Sequence, residues 1–518
     1  MLLDWLLALF PILLILLLMI RFRWGAAKAG PAGWFAALCI AVVRFGAGLE
    51  VLAVAQAKSL FFSLDVLMIT WAAFLLFRVV DEGGAIQVLK EALFRLTTDP
   101  GMQALLIAWA FASFLQGVGG YGVPVAVTAP IMIGLGFSPV SAVVLPSLGH
   151  GWSVTFGSLA ASFQALIAAT GIPGGTLARP AGLLLGFACF GCGLAVAHAT
   201  GGWKAVRRLL PMILLLGGVM AIVQLALAVS GFWNLGATGA GIAGLAVGVV
   251  LARYAQRKGA RAQAVDGKQL LIAVAGYAML VLLTLVVQLA GPVKAALSRL
   301  VLQAPFPEVR TALGYFTAAE VGRKIPLLSH AGAILAYTSL LTFVLYRRVG
   351  LYTPGAARRI LAGTTRRMLP SSLGIASMVA MALVMSHAGM TDVLARGLAA
   401  SVGRAFPVVS PWIGALGAFM TGSNTNSNVV FALLQSRTAE LLGYPVALIL
   451  AAQTAGAAIG SVVAPTKVVV GASTAGKGGE EGGIVGRLLG YVGLLILAIS
   501  LVVWVMALLS GSSSAGGS

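Results

Sequence analysis

Apolar runs of nearly 20 residues recur from one end of the chain to the other, with short polar or basic segments between them. A helix of about 20 apolar residues crosses a hydrocarbon core of about 30 Å. The pattern predicts spans at 2–20, 31–47, 61–80, 140–168, 181–199, 209–230, 236–253, 269–290, 327–346, 367–386, 446–475 and 486–509. Two further apolar segments, 102–137 and 410–442, break halfway at glycine or polar residues. They predict re-entrant helical hairpins. The expected fold class is an all-α polytopic membrane protein. Residues 1–509 would form one transmembrane domain of 12 spans plus two hairpins, and 510–518 a flexible tail.

The break in the second hairpin is polar but uncharged. It reads TGSNTNSN, Thr421 to Asn428, and every residue except Gly422 carries a hydroxyl or an amide. In lipid, unwound backbone is tolerated only where protein buries it or where it lines a wet cavity. Helix N-termini at such a break present free N–H groups and positive dipole ends. Ser423, Asn424, Thr425, Asn426, Ser427 and Asn428 add donors without fixed charge, which suits a carboxylate. One or two helix caps would need fewer polar residues than this. The first hairpin breaks at Gly117-Val118-Gly119-Gly120-Tyr121-Gly122. Gly119, Gly120 and Gly122 permit a turn and a close ligand approach, and Tyr121 offers a hydroxyl. Close helix packing is the alternative use of these glycines.

Composition sharpens the class. The chain is 60% hydrophobic and 9% charged, against roughly 25% charged for soluble domains. Its net charge of +20 sits in short loops: Arg21, Arg23 and Lys28; Lys204, Arg207 and Arg208; Arg253 to Lys268; Arg347 to Arg367. This is the positive-inside pattern rather than a nucleic-acid surface. If each hairpin returns to its own side, these loops are cytoplasmic and both termini face outward. The loop 291–326 is the exception, being outside yet carrying Lys294, Arg299, Arg310, Arg323 and Lys324. The first apolar run has no basic leader or small-residue cleavage site, so it is expected to be retained as a span. Three cysteines offer no disulfide framework, and Cys189 and Cys192 share a helix face as packing residues.

The two hairpins resemble each other. Phe114-Leu115-Gln116-Gly117 aligns with Phe419-Met420-Thr421-Gly422, and Gly136-Phe137 with Gly443-Tyr444 before a proline. A glycine-broken span follows each. The first hairpin would enter from the cytoplasm and the second from outside. That is an inverted repeat with two broken helices, the plan of many secondary transporters, whose substrate and coupling ion bind at the midplane. In the following spans, Gln453, Thr454 and Lys467 are further substrate-site candidates, and His150, between Gly149 and Gly151, is the candidate for proton coupling. Lys467 would neutralise a carboxylate or snorkel to the surface. His150 would titrate or simply bond unwound backbone.

The segment FLQGVGGYGVPVAVTAPIMIGLGFSP resembles the FLEGAAGFGAPVAI-type segment of the L-lactate permease family. GAFMTGSNTNSNVVFALLQSRTAELLG resembles that family's GxFLTGSNTSSN segment. The resemblance implies proton-coupled uptake of lactate, glycolate or similar 2-hydroxy monocarboxylates across the bacterial inner membrane. It implies a permease, not an enzyme, with no cofactor or metal. Three positions depart from the family pattern. Gln116 replaces its glutamate, His150 lies near its asparagine, and Ala464-Pro465-Thr466-Lys467 replaces its SPQS-type break. A carrier for another carboxylate or a sulfonate is the neighbouring alternative, and an ion channel the alternative of another class.

Remaining ionisable residues are candidates by position. Pairing among Arg44, Glu50, Lys58 and Asp65 is expected to be structural. His198 and His387 are expected at the interface, and His330 after a loop. Gly471 to Gly478 (GASTAGKG) fits the start of a P-loop, but Gly478 stands where the Mg²⁺-binding Ser or Thr belongs, which argues against an ATP-driven pump.

Overall fold

The computed structural model describes residues 2–512 except 23, 95, 96, 121, 257–266, 323 and 477–480. The chain opens with α1 (Leu2–Ile20), α2 (Ala26–Val43), the long α3 (Leu49–Glu82) and the short α4 (Ala85–Phe94). Next come α5 (Pro100–Gln103), a π-helical stretch (Ala104–Phe111), α6 (Ala112–Val118) and α7 (Val123–Gly134). Then α8 (Pro139–His150) breaks into irregular turns before α9 (Ala161–Thr170). After α10 (Gly174–Val229) follow α11 (Gly236–Gln256), α12 (Gly267–Leu289) and α13 (Gly291–Leu297).

The second half runs α14 (Ala331–Arg348), α15 (Ala356–His387), α16 (Met390–Val402), α17 (Phe406–Thr421) and α18 (Asn424–Leu442). It closes with α19 (Val446–Gly460), α20 (Pro465–Thr474) and α21 (Glu481–Ser512). Among the described residues, 11 helical segments are long and apolar enough to cross a membrane. This is an all-α polytopic membrane protein in its class. The expected spans 181–199 and 209–230 both lie in α10, which bends where Gly201 and Gly202 leave helical geometry.

The loop expected at 291–326 is instead partly ordered structure. Six two-residue strands, β1 (Val301–Leu302), β2 (Pro305–Phe306), β3 (Val309–Arg310), β4 (Phe316–Thr317), β5 (Glu320–Val321) and β6 (Ile325–Pro326), pair antiparallel as β1–β6, β2–β5 and β3–β4. Together they make one long hairpin. Its tip bonds the loop before α3, with Ala312 N–H donating to the Gly46 carbonyl at 2.9 Å. Phe306 packs edge-on against Phe61 of α3 at 6.1 Å between ring centres. Proline at 305, 307 and 326 interrupts the alternation that would mark strands in the sequence.

Local chemistry sets the helix ends that matter most. The Asp99 carboxylate caps α5 by accepting the Met102 N–H at 2.8 Å, and Pro100 takes the first helical position. The Arg208 guanidinium holds the same carboxylate at 2.7 and 3.2 Å. The Gly422 φ of +73° ends α17, a conformation open to glycine without penalty. Ser423 is extended, and its Oγ accepts the Asn426 N–H at 3.3 Å to start α18.

The helices are arranged around these breaks. α17, α18 and α19 pack on one another, α18 lies against α9 and α15, and α20 touches α7. α3 packs on α14 and α15, and α2 on α15. One apolar core gathers Trp109, Trp152, Phe156 and Phe163 around the first hairpin and the α8–α9 break. A second joins α1–α3 and α15 to the β-hairpin and to Val429 and Phe431 of α18.

Candidate functional site

The start of α18 is buried inside the protein. Asn424 to Asn428 are each at most 5% exposed. Burying so many polar groups is costly unless each finds a partner. Most do, and the partners come from both broken helices. Asn424 Nδ2 donates to Thr155 Oγ1 at 3.0 Å, and the Thr155 and Thr454 hydroxyls lie 3.1 Å apart. Asn428 Nδ2 donates to the Ser162 carbonyl and to Thr454 Oγ1, each at 2.9 Å. The Ser162 and Thr425 hydroxyls meet at 3.0 Å. Thr155 lies in the break between α8 and α9, Ser162 at the start of α9, and Thr454 in α19.

Some acceptors and donors remain unsatisfied. Asn426 Oδ1 and Asn428 Oδ1 are buried without a partner, and the Asn426 side chain makes no hydrogen bond to any described residue. The backbone N–H groups of Asn424 and Thr425 have no acceptor among the described residues, as the first turn of a helix requires unless something outside it supplies one. Unpartnered N–H groups at a helix start can receive an anion, while free amide oxygens accept from a hydroxyl.

The first hairpin closes on the same region. Ser158, Leu159 and Ala160 all have positive φ, at +48°, +54° and +65°. Such non-glycine geometry is strained and is retained where the surroundings enforce it. A side chain at Gly120 would run into Ser158 Oγ. Gly120 and Gly122 have φ of +58° and +87°, which turn the chain from α6 into α7. A side chain at Gly422 would strike Thr466 at the second break. Each hairpin tip therefore abuts a broken helix.

The predicted residues divide accordingly. Asn424, Thr425, Asn428 and Thr454 meet in one network, with Asn426 beside them. Ser423 serves as the cap. Ser427 and Gln453 bind helices together instead. Ser427 Oγ donates to the Gly414 carbonyl at 2.8 Å, and Gln453 Nε2 to Ser427 Oγ at 3.1 Å, while Gln435 Nε2 donates to Gln453 Oε1. Lys467 is half-buried and donates to Ser461 Oγ at 2.9 Å, spanning the second break. His150 ends α8, fully buried, with Nδ1 2.6 Å from the Pro146 carbonyl and Nε2 without a partner. Neither Lys467 nor His150 bonds the Asn424–Asn428 cluster among the described residues. Gly119 is buried against Phe77 and Val123. Tyr121 lies outside the described residues, as do Arg23, Arg257, Lys258, Arg261, Arg323, the end of the GASTAGKG stretch, and residues 513–518 of the tail expected over 510–518, whose first three residues end α21. Thr155 and Ser162 were not singled out from sequence. Their signal was a run of hydroxyls, Ser153, Thr155, Ser158 and Ser162, along an otherwise apolar span.

The ionisable residues pair differently from expectation. Arg44 bonds Asp4 at 2.6 Å, and Lys58 bonds Glu320 of the β-hairpin at 2.6 Å. Asp65 Oδ1 takes the His330 Nε2 proton at 2.7 Å, and His330 Nδ1 accepts the Gly332 N–H to cap α14. The partners are distant in sequence because the long hairpin folds back onto α3. His387 closes α15 and is buried, with Nδ1 2.9 Å from the Leu383 carbonyl. His198 bonds the Tyr491 hydroxyl at 2.9 Å. The Asp65 and His330 side chains are 4% and 6% exposed, and removing one member of a buried pair strands the other. Asp65→Ala should therefore lower stability by about 3 kcal/mol, measured by unfolding in SDS–detergent mixtures. Unchanged unfolding would show that His330 needs only its helix cap.

Comparison with known proteins adds the family. The L-lactate permease family model matches residues 4–510. The chain is 26% identical to the L-lactate permease of Escherichia coli K12 over 92% of its own length and 91% of that protein's. Its identity to the E. coli K12 glycolate permease is also 26%, over 92% and 90%. Against the L-lactate permease of Bacillus subtilis 168 it is 28%, over 78% of each chain. Matched along nearly its whole length, the chain belongs to the L-lactate permease family, whose named members here are permeases and not enzymes.

Proposed function

We propose that this permease is a secondary active transporter that carries L-lactate, glycolate or a related 2-hydroxy monocarboxylate together with a proton. The relatives named for lactate and glycolate support the substrate class. The observation that carries the binding site is the pair of unpartnered N–H groups that open α18, which can donate to a carboxylate, beside the buried Asn426 Oδ1, which can accept from a substrate hydroxyl. The carboxylate sits there, held by neutral donors and the helix dipole. Neutral donors bind an anion without trapping it, as alternating access requires.

The architecture supports an inverted repeat with re-entrant hairpins. In each half a long helix (α3, α15) is followed by a short one (α4, α16) and then a helical hairpin ending in α7 or α18. A broken pair follows, α8–α9 or α19–α20, and then a long helix, α10 or α21. The basic loops support an inner-membrane protein with both termini outside. We assign coupling to His150, whose Nε2 is buried and without a partner among the described residues.

Proteoliposomes test both parts. Wild-type protein should exchange labelled lactate, and lactate addition should drive protons inward. His150→Gln should keep exchange at equal pH and lose the proton movement. Channel-like currents without exchange would sink the carrier reading, and wild-type proton uptake in His150→Gln would remove His150 from the route.

A further inference from the structure

α10 has 56 residues, far more than one crossing needs, and its bend at Gly201 and Gly202 therefore lies near a bilayer surface. Beside the bend, α8, α10 and α21 pack on one another. They enclose a cavity of about 170 Å³, lined by Ser141, Val144 and Leu145 of α8, Ala199 of α10, and Arg487 and Tyr491 of α21. A single water needs about 10–15 Å³ of such space, so a tetrahedral oxyanion fits. Arg487 is exposed and makes no hydrogen bond or ion pair with any described residue. Its planar fork of N–H donors matches a phosphate in pairs. Tyr491 follows one turn later on the same helix face, with its hydroxyl 2.9 Å from His198 Nδ1. That ring nitrogen can donate to the phenol oxygen, which leaves the phenol proton for a ligand. Ser141 Oγ accepts from Ser138 Oγ at 2.9 Å, so its own proton is also available. No described carboxylate lines the cavity.

We propose that this cavity holds the phosphate group of an anionic phospholipid, with an acyl chain lying along α21. The proposal is independent of the substrate site. Three observations favour a lipid over a free anion of the same chemistry. The His198 ring stands edge-on to Trp203 and Tyr491, with centres 5.0 and 5.8 Å apart, and Trp203 is 70% exposed. Tryptophan and tyrosine collect at the level of the lipid headgroups. Lys204 and Arg207, exposed just after the bend, add positive charge that draws anionic lipid to the same surface. Seven residues after Arg487, on the same face and about 10 Å further along the helix, Leu494 is 68% exposed. Arg487, Tyr491 and Leu494 thus form one stripe, charged, then amphipathic, then apolar, in the order that a phospholipid presents its own groups.

The test is lipid titration of the full-length protein in detergent, read by native mass spectrometry, with phosphatidylglycerol and phosphatidylcholine of the same acyl chains. Wild type should bind phosphatidylglycerol more tightly. Arg487→Gln should weaken phosphatidylglycerol binding by about tenfold or more, the worth of a charged hydrogen bond, and leave phosphatidylcholine binding unchanged. Arg487 holds no described residue, so this variant should fold as wild type. Arg487→Lys, which keeps the charge but not the paired donors, should recover part of the loss, and Tyr491→Phe should lose part. Arg358→Gln removes an exposed and equally unbonded arginine from α15, away from the cavity, and should bind as wild type. Equal binding of the two lipids by wild type overturns the proposal. An equal loss in Arg358→Gln and Arg487→Gln also overturns it, because the preference would then come from net charge alone. Displacement of phosphatidylglycerol by equimolar inorganic phosphate would make this a site for a soluble anion and overturn the lipid assignment.

Discussion

Asn426→Ala is expected to lower lactate affinity by at least tenfold while leaving unfolding within about 0.5 kcal/mol of wild type. The two effects separate because the Asn426 side chain bonds no described residue. Deleting it takes nothing from the fold. A hydrogen bond to a charged group is worth about 1.5–3 kcal/mol, and about 1.4 kcal/mol is a factor of ten. Asn428→Ala should behave differently. Its amide joins Ser162 to Thr454, so stability and affinity should fall together. Affinity by isothermal calorimetry and stability by thermal unfolding would distinguish the two variants. Normal lactate binding by Asn426→Ala would remove this amide from the site.

Gly456→Ala should disturb the helix packing directly, with a loss of about 1–3 kcal/mol or failure to fold. A side chain at Gly456 would lie 2.5 Å from the Pro411 carbonyl carbon and 2.6 Å from its Cα. These are backbone atoms, which cannot rotate away. Gly414 and Gly460 approach the facing helix just as closely, so α17 and α19 touch along a glycine seam. Forcing that seam apart would also pull Thr454 from Asn428. Recovery of monodisperse protein from detergent and its thermal midpoint would check this. Wild-type values in Gly456→Ala would mean that the helices separate without cost.

Much of this protein is determined by local sequence. Apolar run length places a helix across a membrane without help from partners, because each helix bonds its own backbone and lipid accepts its side chains. The membrane class and the polar stretch Thr421–Asn428 are legible in that pattern, and the family is legible in the two motif segments around Gln116 and Asn424. Other features depend on residues far apart in the chain. Asp65 meets His330 only because a hairpin built of two-residue rungs folds back onto α3. Ser427 and Gln453 look like their neighbours in sequence, yet the α17–α18–α19 packing turns them into helix glue and leaves Asn426 free. Thr155 and Ser162 join the cluster because strained backbone at Ser158–Ala160 swings α9 against α18. Sequence determines which segments are polar at membrane depth, since burial there is decided residue by residue. Tertiary structure alone decides which polar groups satisfy one another and which remain for a ligand, since a hydrogen bond depends on where both of its ends come to rest.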